Sequence, residues 1–502
     1  MSARRNRLVL RNSALSVVQV AVNGGLYLVL YRFLLDTIGV AQLGVWAIVL
    51  AWTSVNNVAS LGLGGSTTYF IPTYLARGER RYVAALVQTG TLTAAGSLAL
   101  GLLVFYPFVR TLLGLVIDDP ALMPLALSIV PYAFASVWLS ATAGIVYASL
   151  DGFQRVDQRQ MVLVAGGLVL LVGAFVLVPT YGLVGLAQAQ LAQAATVLLL
   201  SWGLLRRLLP ELPLVPWQWS QPAFREMIGY SLRYQVISIA LMLLEPVAKS
   251  LIAAFGSVSA VGYFEMANRL ALQLRAFVVN AHTALVPTLT DLREHAPERL
   301  REIYETSCRL VAVLLLVSLP LLVALVPFVS VVWVGRYEPT FVVFASLLFV
   351  GWFGNLVGNP AYVDDLGAGR LRWIVREHVL MAVLNVLLGV ALGSIFGGTG
   401  VVIGFVTALL AGSLLLAVAY HRSQGVPAAV WVSADHARLA AGASVGMAAV
   451  LGLFYTDALP LGVPARLALA LAAYALAIAG PLWHHAALRE TVRWARHAVR
   501  HA

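Results

Sequence analysis

The sequence contains a single cysteine, Cys308, and a single lysine, Lys249, among 502 residues. One cysteine excludes an internal disulfide and a metal site built from several thiolates. Charged residues make up only 11% of the chain, whereas 60% of its residues are hydrophobic and its mean hydropathy is +0.87. Soluble domains do not have this composition, so the sequence predicts an all-α polytopic membrane protein. We expect neither a cofactor nor a resident metal ion.

The net charge of +11 does not indicate a nucleic-acid partner, because the cations occur in short groups between apolar runs. Successive segments between the predicted spans lie alternately on the two sides of the membrane. Of the 33 Lys and Arg residues, 25 lie on one side and four on the other. Cytoplasmic loops carry such an excess. The distribution predicts a multi-pass membrane protein with both termini in the cytoplasm. The basic segment 2–7 precedes an apolar run without a small-residue cleavage site, so we expect a retained first span.

Apolar runs of membrane-crossing length, separated by turn residues and charges, predict fourteen spans. They lie at 12–35, 40–64, 82–109, 121–149, 160–180, 183–206, 228–255, 258–287, 303–332, 340–363, 373–396, 398–421, 436–456 and 463–485. The predicted outer loops are short, and none has the length of a catalytic domain. The paired carboxylates Asp118-Asp119 and Asp364-Asp365 are interpreted as solvated loop or helix-end residues.

The two halves of the chain repeat each other. The matched segments are those around Gly44 and Gly262, offset by 218 residues, those around Gly182 and Gly400, also offset by 218, and those around Glu79 and Glu298, offset by 219. A repeat of six spans keeps its orientation, and such parallel repeats are typical of transporters with the site between the halves. We predict a six-helix lobe over 1–206, a Pro-rich cytoplasmic linker over 207–227 and a second six-helix lobe over 228–422. Two additional helices over 423–487 and a basic amphipathic tail over 488–502 complete the predicted organisation.

Charged residues are concentrated in the seventh and eighth predicted spans, which contain Arg233, Glu245, Lys249, Glu265, Arg269, Arg275 and His282. A charge at mid-bilayer costs about 3 kcal/mol on insertion scales, so it is kept where it faces a partner or water. The pairs Glu245–Lys249 and Glu265–Arg269 are each spaced i,i+4 and share a helix face. Two interpretations stay open: internal ion pairs, or the wall of a water-filled cavity that meets a charged substrate. Arg233 and Arg275 have no local partner in sequence and favour the cavity.

Uncharged polar residues recur on one face of the first two spans. Gln19, Asn23 and Tyr27 are spaced by four residues in span one, and Asn56 has polar neighbours at similar spacing in span two. Such residues also hold helices together, so each has a structural interpretation as well. Arg32 is the only cation of span one and lies near its outer end.

Three motifs carry a resemblance to a known family: Leu61-Gly62-Leu63-Gly64-Gly65, Tyr74-Leu75-Ala76-Arg77-Gly78-Glu79 and Leu150-Asp151-Gly152-Phe153-Gln154-Arg155. With the repeated glycines, they resemble the polysaccharide-exporter branch of the multidrug/oligosaccharidyl-lipid/polysaccharide exporter superfamily, the O-antigen translocase type. The resemblance implies two parallel six-helix lobes around a central cavity plus two extra helices, as in the lipid II flippase relatives. It also implies basic cavity residues that meet a pyrophosphate, for which Arg269 and Arg275 are the match.

The leading hypothesis is a flippase for a polyprenyl-pyrophosphate-linked oligosaccharide, working by alternating access in surface polysaccharide biosynthesis. The main alternative is a proton- or sodium-coupled small-molecule or multidrug antiporter of the same superfamily, which would need a carboxylate deep in the first lobe. A membrane glycosyltransferase or polymerase would need a large outer loop, and a scaffold would not need so many intramembrane charges. The chain is therefore predicted not to be an enzyme.

The expected partners are the lipid-linked glycan, membrane lipids, a coupling proton or sodium ion, and a glycan polymerase or glycosyltransferases. No catalytic or metal-ligating residue is predicted. The candidate substrate-binding residues are Gln19, Asn23, Arg32, Asn56, Arg233, Glu245, Lys249, Glu265, Arg269 and Arg275.

Overall fold

The computed structural model describes residues 21–54, 63–117, 119–283, 298–368, 370–456 and 461–485, with side chains at 54, 230–242, 277, 280–283, 298–299 and 428 excepted. These residues form helices and contain no β-strand. The helices are α1 (21–37), α2 (Gly39–Ser54), α3 (Leu63–Ala76), α4 (Arg80–Gly114), α5 (Leu122–Gly152), α6 (Val156–Leu208), α7 (Gln221–Phe255), α8 (Val258–Thr283), α9 (Glu298–Val329), α10 (Pro339–Gly354), α11 (Asn359–Gly367), α12 (Leu371–Gln424), α13 (Ala434–Tyr455) and α14 (Val463–His484). A π-helical segment, Ser330–Val334, extends α9, and a 3₁₀ segment, Asn355–Gly358, joins α10 to α11.

The helices confirm the predicted class of an all-α, multi-pass membrane protein. Eight of the described helices are long and apolar enough to cross a membrane, and two of these, α6 and α12, have 53 and 54 residues. Each of the two is twice the length that a single crossing needs. Both contain one non-helical glycine near the middle, Gly182 in α6 and Gly397 in α12, where the chain can reverse between two crossings. The predicted boundaries 180/183 and 396/398 fall at these two glycines.

The glycine conformations correct the predicted register of the repeat in this region. Gly182 has φ 55° and ψ −132°, and Gly397 has φ 62° and ψ −148°, so these two residues are equivalent and their offset is 215. Gly185 and Gly400 are equivalent as well, because a Cβ on either would meet the carbonyl of the residue eight positions earlier. The sequence match of Gly182 to Gly400 was therefore wrong by three residues. Further glycines follow each bend within a few residues, and only the backbone angles distinguish the bend from its neighbours.

The first pair of repeat anchors is confirmed by a direct contact. A Cβ on Gly44 would meet the backbone carbonyl of Val258, and a Cβ on Gly262 would meet that of Val40. Val40 and Val258 are themselves offset by 218, like Gly44 and Gly262. The two contacts are thus copies of one another, as expected at a two-fold related crossing of α2 and α8. Glycine is required at both positions because the helices approach backbone to backbone.

The segment between α6 and α7 is non-helical over 209–220, within the predicted Pro-rich linker. It is attached to α4 through polar side chains on successive turns. Ser220 N donates to Thr89 Oγ1 at 3.0 Å, and Trp219 Nε1 donates to Thr93 Oγ1 at 3.1 Å. At its start, Glu211 accepts from Arg80 Nε at 2.8 Å, and this hydrogen bond holds the pKa of the Glu211 carboxyl below its ordinary value. The linker therefore has a fixed path along α4.

The chain divides into two compact units. One contains Ala14–Met266 with Val390–Val401, and the other contains Ala267–Gly389 with Val402 onward, apart from a short N-terminal piece outside the described residues. The predicted lobe boundaries stay a prediction. Within the second unit, α13 and α14 pack on α9 through a core that includes Phe328, Leu439 and Tyr474. Tyr474 also donates a hydrogen bond of 2.6 Å to the Val317 carbonyl, which ties the additional helices to α9.

Candidate functional site

In the first unit, Lys249 lies between two carboxylates. Its Nζ is 2.7 Å from Glu265 Oε2 on α8 and 3.2 Å from Glu245 Oε2 on α7. Tyr31 of α1 donates a hydrogen bond of 2.9 Å to the other oxygen of Glu265. The side chains of Lys249 and Glu265 are 4% and 2% exposed, whereas that of Glu245 is 30% exposed. We call these four residues the lysine cluster.

The turn between α7 and α8 explains why the lysine cluster forms. The helices are joined by Gly256-Ser257, and Ser257 Oγ accepts a hydrogen bond of 3.1 Å from Ala260 N in the first turn of α8. Two antiparallel helices joined by so short a turn stay adjacent along their length. Lys249 lies about two turns before the connection and Glu265 about two turns after it, so the two side chains meet at one level.

In the second unit, Arg275 of α8 is surrounded by uncharged groups on α10 and the 3₁₀ segment that follows it. Its Nη2 donates to Asn355 Oδ1 at 2.8 Å, and its guanidinium lies 5.2 Å from the centre of the Trp352 ring. Trp352 Nε1 in turn donates to Asn268 Oδ1 at 2.7 Å, and Asn268 lies about two turns before Arg275 in α8. Asn355 also exchanges hydrogen bonds with Ser413 of α12. We call Asn268, Arg275, Trp352, Asn355, Glu377 and Ser413 the arginine cluster.

Glu377 of α12 is the carboxylate of the arginine cluster. It is 4% exposed, close enough to Arg275 for the two charges to attract, and next to the Ser413 hydroxyl. Three buried polar atoms of the cluster have no hydrogen-bond partner among the described residues: Arg275 Nε, Asn268 Nδ2 and Glu377 Oε2. Buried polar groups normally find partners. The cluster therefore has hydrogen-bonding capacity that its own protein contacts do not use.

A third polar feature is a cavity of about 130 Å³ between α1 and α6 in the first unit. Asn23, Tyr27 and Gln193 line it together with leucines, and none of its described lining side chains is charged. Asn23 Oδ1 is buried without a described hydrogen-bond partner. Gly167 opposes Asn23 in this wall, since a Cβ on Gly167 would lie 3.3 Å from Asn23 Oδ1. This volume holds several water molecules or one small uncharged polar group.

The predicted site residues do not meet in a single place. Glu245, Lys249 and Glu265 meet in the lysine cluster, and Asn23 lines the cavity between α1 and α6. Arg275 belongs to the arginine cluster, and Arg269 is half-buried on α8, one turn from Glu265. Arg32 lies 3.0 Å from Asp36 in an exposed pair on α1. Gln19, Asn56 and the side chain of Arg233 lie outside the described residues.

The structure also brings in residues that sequence analysis did not select. Asn268, Trp352, Asn355, Glu377 and Ser413 come from four separate stretches, and a single asparagine or serine in an apolar run looks like ordinary helix packing. Among these five residues, only Glu377 could have been selected from the sequence, because it is an acidic residue beyond the first turn of the predicted span 373–396.

The interpretation of Asp364-Asp365 as solvated residues was wrong. Both are 4% exposed, and Arg370 bonds Asp364 at 2.9 Å and Asp365 at 2.8 Å. Tyr420 donates a further hydrogen bond of 2.7 Å to Asp364. These contacts tie the end of α11 to both ends of α12, so the pair is structural in the described fold.

Comparisons with known proteins agree with this architecture. The model of a family described as polysaccharide biosynthesis protein matches residues 38–337. The solved lipid II flippase MurJ, in an inward closed conformation, superposes with a TM-score of 0.71 at 14% identity over 92% of this chain and 98% of that one. An inward-facing multidrug resistance MATE family transporter of the MOP superfamily gives 0.69 at 13% identity over 82% and 98%.

A MOP superfamily transporter from Pyrococcus furiosus gives a TM-score of 0.56 at 15% identity over 85% of this chain and 96% of that one. The comparison with curated proteins gave no match. At these identities the solved structures establish the fold, which is the one that the sequence motifs predicted.

Proposed function

Since the chain belongs to the polysaccharide biosynthesis family and has the MOP transporter fold, we propose that it is a flippase for a polyprenyl-pyrophosphate-linked oligosaccharide. The fold is one of transporters, not of enzymes. The flippase acts by alternating access in the cytoplasmic membrane of a bacterium and supplies surface polysaccharide biosynthesis. It receives its substrate from glycosyltransferases inside and delivers it to a polymerase outside.

The observation that carries this proposal is the environment of Arg275. A guanidinium in a membrane-spanning helix is expensive and marks a functional site by default. Here it is oriented by an asparagine amide and a tryptophan ring, and its Nε has no hydrogen-bond partner among the described residues. Arginine binds phosphate oxygens through a planar fork and keeps its charge in an apolar environment. We propose that Arg275 binds the pyrophosphate, with Arg269, two turns closer to the outer side, as the second contact.

Substitution of Arg275 tests the proposal. We expect Arg275→Lys to reduce export of the lipid-linked glycan about tenfold or more, because the charge stays but the fork is lost, and Arg275→Ala to abolish it. The matched control is Arg372→Ala, which removes an exposed arginine at the start of α12. The measurement is the lipid-linked glycan that accumulates in cells producing each variant at equal membrane level. Normal export by Arg275→Ala would contradict the proposal.

One observation favours the alternative of an ion-coupled antiporter. That function needs a carboxylate deep in the first lobe. Glu265 lies beyond the predicted first lobe, 1–206, but it is buried in the compact unit that contains α1, with a hydrogen bond from Tyr31. An antiporter would release protons or sodium from loaded proteoliposomes when a cationic dye is added, and Glu265→Gln would abolish the release. The lysine next to Glu265 argues against this function, because it already neutralises the carboxylate.

A further inference from the structure

A polar cavity of about 280 Å³ lies among the ends of α9, α11 and α12 in the second unit, apart from the lysine and arginine clusters. Its polar lining includes Arg301, Tyr304, Asp364, Arg370 and Tyr420, and we call it the tyrosine cavity. Asp364 and the two tyrosines are only 4–6% exposed and form its floor, whereas both arginines are exposed at its mouth. One water needs a cavity of only about 10–15 Å³, so the tyrosine cavity can hold a small organic group.

The two arginines of the tyrosine cavity are held in place and each keeps one nitrogen unused. Arg370 Nε donates to Asp365 Oδ1 at 2.8 Å, and its Nη2 donates to Asp364 Oδ2 at 2.9 Å. Arg301 Nε donates to Glu305 Oε1 at 3.0 Å, and its Nη2 donates to a backbone carbonyl at 3.4 Å. In both side chains, Nη1 has no hydrogen-bond partner among the described residues. Oriented guanidiniums with free N–H groups at a cavity suit phosphate oxygens.

The charges joined by these contacts sum to zero. Glu305 is shared between Arg301 and Arg309, at 3.0 Å and 3.4 Å. The pair Asp364-Asp365 shares Arg370, at 2.9 Å and 2.8 Å. Three arginines thus face three carboxylates. A simple anion or cation would leave an uncompensated charge in this partly buried place, which is costly, whereas a ligand with one charge of each sign would not.

The floor of the tyrosine cavity supplies a place for the positive end of such a ligand. Tyr304 and Tyr420 stack with ring centres 4.4 Å apart, and Tyr420 donates a hydrogen bond of 2.7 Å to Asp364. A carboxylate beside aromatic rings attracts an ammonium group, through its charge and through the ring faces. The Arg370 guanidinium lies 5.9 Å from the centre of the Tyr420 ring, so both signs of charge lie within reach of one small molecule.

Tryptophans next to the tyrosine cavity mark the level of the lipid headgroups. Trp373 lies in the first turn of α12 and Trp431 follows the end of α12, and both are half-buried. Tryptophan is enriched at the membrane–water interface. We propose that the tyrosine cavity binds a phosphoethanolamine group, with its phosphate at Arg301 and Arg370 and its ammonium at Asp364. This ligand is distinct from the transported glycan, and its binding does not require a pyrophosphate at Arg275.

Titration calorimetry on the full chain purified in detergent tests the site. The probes are dihexanoyl phosphatidylethanolamine, the corresponding phosphatidylcholine and phosphatidylglycerol, and free phosphoethanolamine. We expect phosphatidylethanolamine to bind about tenfold or more tightly than phosphatidylcholine, whose nitrogen has no N–H donor, and than phosphatidylglycerol, which has no cation. Weaker binding of free phosphoethanolamine would identify a lipid headgroup as the ligand, and equal binding would identify a soluble compound of the same chemistry.

Variants locate the bound probe. Arg301→Gln removes one phosphate donor from an exposed side chain and is expected to weaken binding about tenfold or more. Its matched control is Arg372→Gln, which removes the same charge from an exposed arginine outside the lining and should keep the wild-type affinity. Gln424→Trp fills the mouth of the cavity without changing a charge and should abolish binding. Asp364→Asn should remove the preference for phosphatidylethanolamine over phosphatidylcholine, which a merely structural role would not do.

Four results would overturn the inference: no binding of phosphatidylethanolamine, equal binding of the three lipids, wild-type affinity in Arg301→Gln or Gln424→Trp, or an equal loss in Arg372→Gln. Loss of binding in Arg275→Ala alone would place the phosphate at the proposed pyrophosphate site, so it would overturn this inference and leave the proposed function standing. Normal glycan export by Arg275→Ala would contradict the proposed function and leave binding in the tyrosine cavity unaffected.

Discussion

Lys249 neutralises a carboxylate on its own helix and another on the next helix, and the second contact is the shorter, 2.7 Å against 3.2 Å. The i,i+4 spacing of Glu245 and Lys249 correctly predicted that they share a face. It could not predict Glu265, because that contact depends on the rotation of α8 about its axis. The hypothesis of two independent ion pairs within single helices therefore omits the pairing between α7 and α8.

This geometry decides which exchange of charges is informative. Exchanging Glu245 with Lys249 would set two carboxylates against each other at Glu265, so that variant would fail whatever the role of Lys249. We expect Lys249→Met to lower the apparent melting temperature, because a buried carboxylate loses its partner at a cost of about 3–5 kcal/mol. We expect Lys249→Glu combined with Glu265→Lys to restore most of the stability and of the export. It preserves the opposite charges across α7 and α8, and the like charge that it creates on α7 faces only Glu245, which is 30% exposed.

Thermal unfolding in detergent, followed by tryptophan fluorescence, measures the stability of these variants, and accumulation of lipid-linked glycan in cells measures export. Restored stability without restored export would assign Lys249 to the substrate site, in agreement with the hypothesis of a charged cavity wall.

At the scale of elements, the crossing of α2 and α8 depends on two glycines. A Cβ on Gly44 would come within 1.9 Å of the Val258 carbonyl oxygen, which is a backbone atom and cannot move without moving the helix. We expect Gly44→Ala to destabilise the protein by about 1–3 kcal/mol, and Gly262→Ala to act similarly. The matched control is Gly96→Ala in α4, where no atom lies within 4 Å and where alanine favours the helix.

The apparent melting temperatures of the three alanine variants check this expectation. Because the contacts at Gly44 and Gly262 are copies of each other, the two substitutions should have comparable effects. A Gly44→Ala variant as stable as Gly96→Ala would show that α2 and α8 can separate without cost, and would contradict the described crossing.

At the scale of the whole molecule, the distribution of arginines predicts both termini and the 207–227 linker in the cytoplasm. Cysteine labelling tests this orientation cleanly, because the single native cysteine, Cys308, is buried. Gln218 is exposed and its hydrogen bond to Gln88 uses the backbone N–H, so Gln218→Cys leaves that contact in place. We expect an impermeant maleimide to label Gln218→Cys only after the cells are permeabilised.

The matched control for orientation is Ala121→Cys, at the exposed start of α5 on the predicted outer side. This variant should be labelled in intact cells. Labelling of Gln218→Cys from outside intact cells, with Ala121→Cys protected, would invert the predicted topology and with it the entry side of the substrate.

The sequence by itself determined the helices, their number and the transporter class. Apolar length and turn residues are local properties, so the predicted spans reach the observed helices within a few residues through most of the described chain. The extension of the second span through α3 to Ala76 was missed, because Pro72 and several polar residues weaken its apolar pattern.

Only the tertiary structure decided which residues meet. Asn355 and Ser413 became partners of Arg275 and Glu377 because α8, α10 and α12 pack with particular faces together, and no spacing within one helix encodes that choice. The bend at Gly397 rather than Gly400 was likewise settled by backbone angles. Helix formation depends on neighbours in sequence, whereas a site in a helical bundle depends on how helices rotate and slide against each other, which is fixed only when their side chains pack.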